Sequence, residues 1–333
     1  MAKDRPKPVK HRGYIDIGRV MRVLKIRDLK VGSSASLDLV IKSADIRLTK
    51  AQKPFLSMEL FDGTDTIASN NWDWGDAPAP AKNTVIAITA QVTEWAGKPQ
   101  LNIKSQRAST LGLEVFAPVS DVNVSDYFGI VKTLIGQIKN PFLSELTFNV
   151  FKDNQELWKV SPAAKNIHHA YIAGNLQHCV DTALKAQAIA KLTPMCNEDL
   201  CIAGGLLHDL GKLWGYTLNG VIFEMTIKGS TMEHIVLGTL KLEEYRTEKN
   251  SAIVDLLQHI MVSHHGLLEY GSPVTPKFME AWVIHLADMV DSKCRTVYEL
   301  NKKCNENDVF TAKEWSLENQ AMITQYYIAE VMQ

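Results

Sequence analysis

His178, His208, Asp209, His234, His264 and Asp288 are the residues of this chain best suited to hold metal ions. His208 and Asp209 stand side by side at the end of the apolar run Leu200 to Leu207. Adjacent helical residues point about 100° apart, so both reach one ion only if it sits off the helix flank. A carboxylate has two oxygens and can bridge to a second ion. A buried helix needs neither group, because polar atoms there are costly unless paired or metal-bound. Taken singly, each residue has a plain alternative: a solvent-facing helix end for His208 and Asp209, a core histidine for His178. His234 could cap its helix and Asp288 could pair with a lysine. Taken together they do not scatter as chance would have it. Of ten histidines, all but His11 lie between 168 and 285.

Four imidazoles and two carboxylates suffice for two ions, and mixed nitrogen and oxygen donors suit manganese, iron, cobalt, nickel or zinc better than calcium or magnesium. The expected arrangement puts His178, His208, Asp209 and Asp288 on one ion, with Asp209 bridging to a second held by His234 and His264. Two ions about 3.5–4 Å apart can present a hydroxide and neutralise a phosphate's charge during in-line attack. Lys212, one turn beyond His208 and Asp209, is placed to meet that phosphate, so Asp209 and Lys212 are the expected catalytic residues. His265 is a further ligand or a phosphate contact, and His168 and His169 are expected against substrate. His285 reads as core or as support for a ligand.

These residues need a scaffold. A chain of 333 residues suggests two domains, and 46% hydrophobic with 22% charged residues allows a sizeable core. No apolar run approaches the roughly 20 residues that span a bilayer. The basic, Pro-containing start is not a secretory signal, so cytoplasmic residence and no membrane partner are expected. Five cysteines without a Cys-x-x-Cys pair read as reduced thiols. Residues 1–110 carry 18 basic and 11 acidic side chains, and residues 111–333 carry 18 and 26. A basic front suits a polyanion, and an acidic back can bind one through metal ions.

The expected fold is α+β and multidomain: an N-terminal five-stranded OB-type β-barrel followed by an all-α domain. Residues 1–30 form a basic lead-in, 31–110 the barrel, 111–165 a helical linker and 166–333 the helical domain. Period-two patterns start near Leu37 and cover Pro54–Phe61, Thr66–Trp72, Thr84–Val92 and Pro99–Lys104, with a tight turn at Asp62-Gly63. Five short strands fit a small closed barrel, with a sandwich fragment as the alternative. Helices are expected over 124–139, 142–154, 171–192, 198–213, 231–246, 250–264, 277–303 and 312–333, with a small hairpin about Asn219-Gly220. Such a barrel binds single strands through basic grooves and aromatic platforms. The candidates are Phe55, Trp72, Trp74 and Trp95 with Arg47, Lys53 and Lys104. Trp72 and Trp74 are expected to be exposed and Phe61 to lie in the core.

The order His178, His208-Asp209, His234, His264-His265, Asp288 resembles the HD superfamily of metal-dependent phosphohydrolases. With the barrel, the stretch Lys165-Asn166-Ile167-His168-His169-Ala170-Tyr171, His264-His265-Gly266 and Tyr270-Gly271-Ser272-Pro273, the chain is similar to YhaM-type 3′–5′ exoribonucleases. The likeness runs from about Leu29 to Arg295. It implies manganese-type metal dependence and removal of nucleotides from the 3′ end of RNA, sometimes of single-stranded DNA.

Three functions fit the residues. The first is a two-metal phosphodiesterase acting on single-stranded RNA or DNA. The second keeps the site but takes mononucleotides or cyclic nucleotides. The third is a non-catalytic strand-binding protein, and a full two-ion ligand set argues against it, because structural sites fill their coordination with protein atoms. A homo-oligomer is compatible with all three.

Overall fold

The computed structural model describes residues 25–75, 77–116, 123–164 and 169–332. The basic lead-in before Lys25, and His168 with the rest of 165–168, lie outside the described residues. Five strands, β1 (Ser34–Leu48), β2 (Pro54–Phe61), β3 (Thr66–Asn71), β4 (Val85–Trp95) and β5 (Lys98–Ala108), close into a barrel in the order β1-β2-β3-β5-β4. Among the described strands only β3 and β5 pair in parallel. The barrel forms because alternate residues are apolar: Leu37, Leu39, Ile41, Leu56, Met58, Leu60, Ile86, Ile88, Leu101 and Ile103 fill its interior. Irregularities at Ile41/Ser43 and Thr89/Ala90 bend the two long strands around the closure. Ala96 and Gly97, both at positive φ, turn β4 into β5.

Asp62 builds the β2–β3 turn. Its carboxylate accepts from the Thr64 and Asp65 amides, both at 2.8 Å, and from Ile26 N at 2.7 Å. One side chain thus closes the turn and ties down the segment that leads into the barrel.

The helical domain holds α1 (Val124–Gln137), α2 (Pro141–Asp153), α3 (Gln155–Trp158), α4 (Gly174–Leu192), α5 (Glu198–Leu207) and α6 (Lys212–Gly215). The hairpin β6 (Tyr216–Asn219) and β7 (Ile222–Met225) follows, then α7 (Ile227–Glu243), α8 (Ser251–Ser263), α9 (Met279–Asn301) and α10 (Gln325–Val331). Every residue of α5 from Leu200 to Leu207 is buried, and the helix packs on α1, α2, α4, α8 and α9. Gly205 permits this: a Cβ there would lie 2.5 Å from the Ala183 Cα of α4. The segments α1 and α2, expected as a linker, share one core with α4 and α5. Barrel and helical domain meet through Lys82–Glu224, Asn83–Asn219 and Lys303–Asp65. No helix among the described residues is long and apolar enough to cross a membrane.

Four expectations need correction. The helix expected over 198–213 ends at Leu207, and His208 to Gly211 turn before α6 starts. The helix expected over 312–333 is largely a loop with bridges Phe310–Ile323 and Glu314–Gln320, a 3-10 turn at Trp315–Leu317 and, among the described residues, one α-helix at Gln325–Val331. Glu318 and Asn319 there sit at positive φ, which a continuous helix excludes. Phe61 is half-buried and packs against a smaller core of Val40, Phe116, Val221 and Ile222 instead of lying inside the barrel, with the Lys42 ammonium 5.7 Å from its ring centre. Trp74, expected to be exposed, packs partly against the barrel core and donates its indole N–H to the Ala77 carbonyl at 2.8 Å.

Candidate metal centre

All six expected donors converge. His178 comes from α4, His208 and Asp209 from the end of α5, His234 from α7, His264 from the end of α8 and Asp288 from α9. Asp209 sits at the middle and is buried. Its Oδ2 lies 3.3 Å from His178 Nε2 and 3.4 Å from His208 Nε2. Its Oδ1 faces the other way, 3.4 Å from His234 Nε2 and 3.6 Å from His264 Nε2. Asp288 Oδ1 is 3.2 Å from His178 Nε2. His265 joins the second side: donor atoms of His234, His264 and His265 lie within 4.8 Å of one another.

Hydrogen bonds behind the rings set which nitrogen faces inward. His208 Nδ1 bonds the Gly205 carbonyl at 2.8 Å, His264 Nδ1 the Met261 carbonyl at 2.7 Å, and His178 Nδ1 the Asp291 carboxylate at 2.7 Å. In all three the Nε2 is left for the centre, the usual device of a metal-ligating histidine. His234 reaches the site through a kink: Glu233 stands at φ 58, ψ 163 inside α7. Gly211 makes room for that kink, since a Cβ on it would lie 1.9 Å from the His234 carbonyl oxygen.

The electrostatics suit cations. Burial works against the Asp209 charge, but Lys212 and His208 outweigh it and hold the carboxyl well below its usual range. Burial likewise opposes ionised Asp288, and His178 overrides it downward. Burial would lower His178, yet its bonds to Asp209, Asp288 and Asp291 raise it well above an ordinary histidine; the same three carboxylates would favour a cation that displaces that proton. Burial and the neighbouring His265 press His264 well down, leaving a neutral imidazole, the form that ligates. Burial and His234 lower His265 as well.

One observation tests whether this donor set fits metal ions. Asp209 Oδ1 and His234 Nε2 are both buried and make no hydrogen bond within the described residues. Buried polar atoms are rarely left so, and a cation between this carboxylate oxygen and this ring nitrogen would satisfy both. The donors fit divalent metal.

Lys212, expected against a phosphate, is buried with its ammonium 2.6 Å from Asp209 Oδ2. His169, expected against substrate, is buried behind His178 instead. Its Nδ1 meets the Tyr171 hydroxyl at 2.7 Å and its Nε2 meets Asp291 at 3.0 Å. Burial, against the pull of Asp291, takes it down to about 4. His285 bonds the His264 carbonyl at 2.8 Å and supports that ligand from behind.

Sequence reasoning missed Asp291. It lies one turn past Asp288 on α9, bonds His178 and His169, and accepts from Lys185 Nζ at 2.7 Å. The signal was there as a second aspartate at i+3, on the face that already carried a ligand.

On the barrel, Phe55 and Trp72 stack with ring centres 4.4 Å apart. Arg47 pairs with Phe55 across β1 and β2, and Lys104 is exposed on β5 where its pairing with β4 slips by one residue. Arg47, Phe55 and Trp72 therefore lie in one row on the barrel surface. Lys53 lies at its edge, 3.3 Å from Asp73. Trp95 is apart from the row, 73% exposed at the β4–β5 turn.

A closed barrel joined to a helical domain whose buried histidines and aspartates meet around one carboxylate belongs to a known class. The HD domain family model matches residues 175–293, the stretch that carries all six expected donors, and this part of the chain is an HD domain. The 3′-5′ exoribonuclease YhaM of Geobacillus sp. (strain WCH70) is 30% identical over 314 residues, covering 91% of this chain and 96% of that protein. The YhaM of Shouchella clausii is 30% identical over 305 residues, 89% of this chain and 95% of its own length. That of Bacillus subtilis is 29% identical over 301 residues, 88% and 95% of the two chains. The chain belongs to the YhaM 3′-5′ exoribonuclease family.

Proposed function

We propose that this chain removes nucleotides from the 3′ end of single-stranded RNA, using two divalent transition-metal ions, manganese foremost. The observation that carries the reading is the two-sided environment of Asp209. One oxygen looks to His178 and His208, the other to His234 and His264. Such a carboxylate suits a bridge between two ions. His178, His208, Asp209 and Asp288 would hold the first ion, and Asp209, His234 and His264 the second, with His265 beside it. When bound, the ions supply Lewis acidity and offset the charge of the phosphodiester.

The chain's own groups do the rest. Asp291 and the Gly205 and Met261 carbonyls keep the three Nε2 atoms turned inward, so the site is ordered before substrate arrives. Lys212 adds a fixed positive charge at the same carboxylate, available to charge that develops on the phosphate. The row Arg47, Phe55 and Trp72, with Lys104 exposed elsewhere on the barrel, offers charge and stacking surface, the chemistry that holds a single strand without reading its sequence. The 3′ polarity and the preference for RNA rest on the near full-length likeness to proteins named 3′-5′ exoribonucleases.

The test is Asp209→Ala in the full chain. The variant should bind single-stranded RNA as the wild type does and release no mononucleotide in manganese. Unchanged turnover would overturn the assignment. Turnover of cyclic dinucleotides or nucleoside triphosphates in place of RNA would move the same site to a small substrate.

A further inference from the structure

Helix α9 presents two different faces. Ala281, Ile284, His285, Ala287 and Asp291 turn into the domain and are buried. On the outside Met279, Trp282, Leu286, Met289 and Val290 are between 37% and 48% exposed. The first four recur at intervals of three, four and three residues, the spacing of a heptad seam. From Ala281 to Val290 the only charged residue is Asp288, and it faces the metal centre. Surface helices of monomers intersperse charge with apolar residues, and a contiguous apolar patch marks a contact site.

We propose that a second copy of this chain packs on this seam, antiparallel, about a two-fold axis near Leu286. The exposed row Met279, Trp282, Leu286, Val290 and Lys293, spaced by three, four, four and three residues, maps onto itself under this reversal, while Met289 stays beside it. With Leu286 opposite Leu286, the large Trp282 falls opposite the small Val290. Met279 falls opposite Lys293, whose aliphatic stem can cover it. A two-fold interface needs this self-match, and an unrelated partner does not.

The loop after His265 widens the patch with Leu267, Leu268 and Tyr270, which are 40%, 64% and 61% exposed. It lies alongside, because Gly266 packs against the His285 ring and His285 packs against Trp282. At about 150–250 Å² for a large side chain, these eight residues together expose roughly 600–900 Å² of largely apolar surface. A standard interface takes about 800 Å² from each partner.

The seam also reaches the metal centre. The Trp282 ring centre lies 5.9 Å from that of His285, and His285 bonds the His264 carbonyl. His265 bonds the Tyr270 carbonyl at 2.8 Å. A second copy on this face therefore braces the wall that carries His264 and His265.

The experiment is the solution mass of the full chain by sedimentation at tens of micromolar, for the wild type and for Leu286→Glu. Position 286 is on the surface, so circular dichroism should show the variant folded. The proposal expects a dimer, or a larger even assembly, for the wild type, and half that mass for Leu286→Glu. As a second arm, Leu286→Cys in a Cys294→Ser background should form a disulfide-linked dimer on mild oxidation, where Cys294→Ser alone does not. A monomeric wild type would leave the seam to some other partner and overturn the proposal. So would an assembly that survives Leu286→Glu, or a Leu286→Cys chain that fails to cross-link. A Leu286→Glu chain that does not fold leaves the decision to the cross-link.

Discussion

Asp291 Oδ2 sits 2.7 Å from His178 Nδ1, and this contact decides which nitrogen of the ring is left for a cation. The aspartate touches no other expected ligand, yet it holds one of them in its working orientation. His169 and Lys185 bond the same carboxylate and fix it in turn.

Asp291→Asn should therefore lower metal affinity about 10–100-fold, the usual cost of losing a partner behind a ligand. The overall fold should persist, because the amide keeps the size of the carboxyl. Calorimetric titration with manganese reads the affinity and thermal melting checks the fold. Wild-type affinity in a folded variant would show that His178 needs no such support.

Gly211→Ala should damage the same centre through the backbone. A methyl group there meets the His234 carbonyl oxygen at 1.9 Å, so the start of the kinked α7 must shift. Overpacking of this kind costs about 1–3 kcal/mol. Melting temperature and the number of manganese ions bound should fall together. A variant that melts lower and still binds the full complement would separate the kink from the metal site.

Two tryptophans two residues apart should respond differently. Trp72 is exposed and stacked on Phe55, while Trp74 is tucked against the barrel core. Trp72→Ala should weaken single-strand binding by about 1–3 kcal/mol, the worth of one stacked base, with little change in melting. Trp74→Ala should lower the melting temperature first. Fluorescence anisotropy with a labelled oligonucleotide, alongside melting curves, distinguishes them, and the reverse pattern would move the strand off this row.

Acid should loosen the barrel at Asp62. Burial opposes its charge, but the bonds from Asp65, Ile26 and Thr64 prevail and hold the carboxyl below its ordinary value of 3.8. A depressed carboxyl stabilises the fold fully above the unfolded-state value, and that stability is lost as pH falls through the folded one. Asp62→Asn should melt lower than wild type at pH 7, with the gap narrowing below about pH 4. A gap independent of pH would mean that the carboxylate charge is irrelevant to the turn.

Much of this could be read from the chain because the relevant patterns are local. The alternation of Leu37, Leu39 and Ile41 specifies a strand facing a core, and Pro54–Phe61 does so again to the residue. The six residues that meet at Asp209 were legible only as a set, because several buried histidines and aspartates together are costly unless paired or metal-bound. Position relative to neighbours was not legible. Trp72 and Trp74 look alike in sequence, and only the loop that follows decides which one folds back onto the barrel. His169 was expected at substrate because it lies beside His168 and upstream of a ligand. Its burial behind His178 depends on Asp291, more than a hundred residues later. The end of α5 at Leu207 was hidden for a similar reason: residues 208–213 carry a helical pattern, and packing against α7 sets the turn.

The central claim is that donors from five helices meet around Asp209 to cut RNA from its 3′ end with metal ions. It is tested most directly by digesting one RNA oligomer, labelled at the 3′ end in one sample and at the 5′ end in another, in manganese and in chelator. The account predicts immediate release of a labelled mononucleotide from the 3′-labelled strand and a ladder of shortening products from the 5′-labelled one, both abolished by chelator. Cleavage that survives chelation, or that starts at the 5′ end, would contradict it.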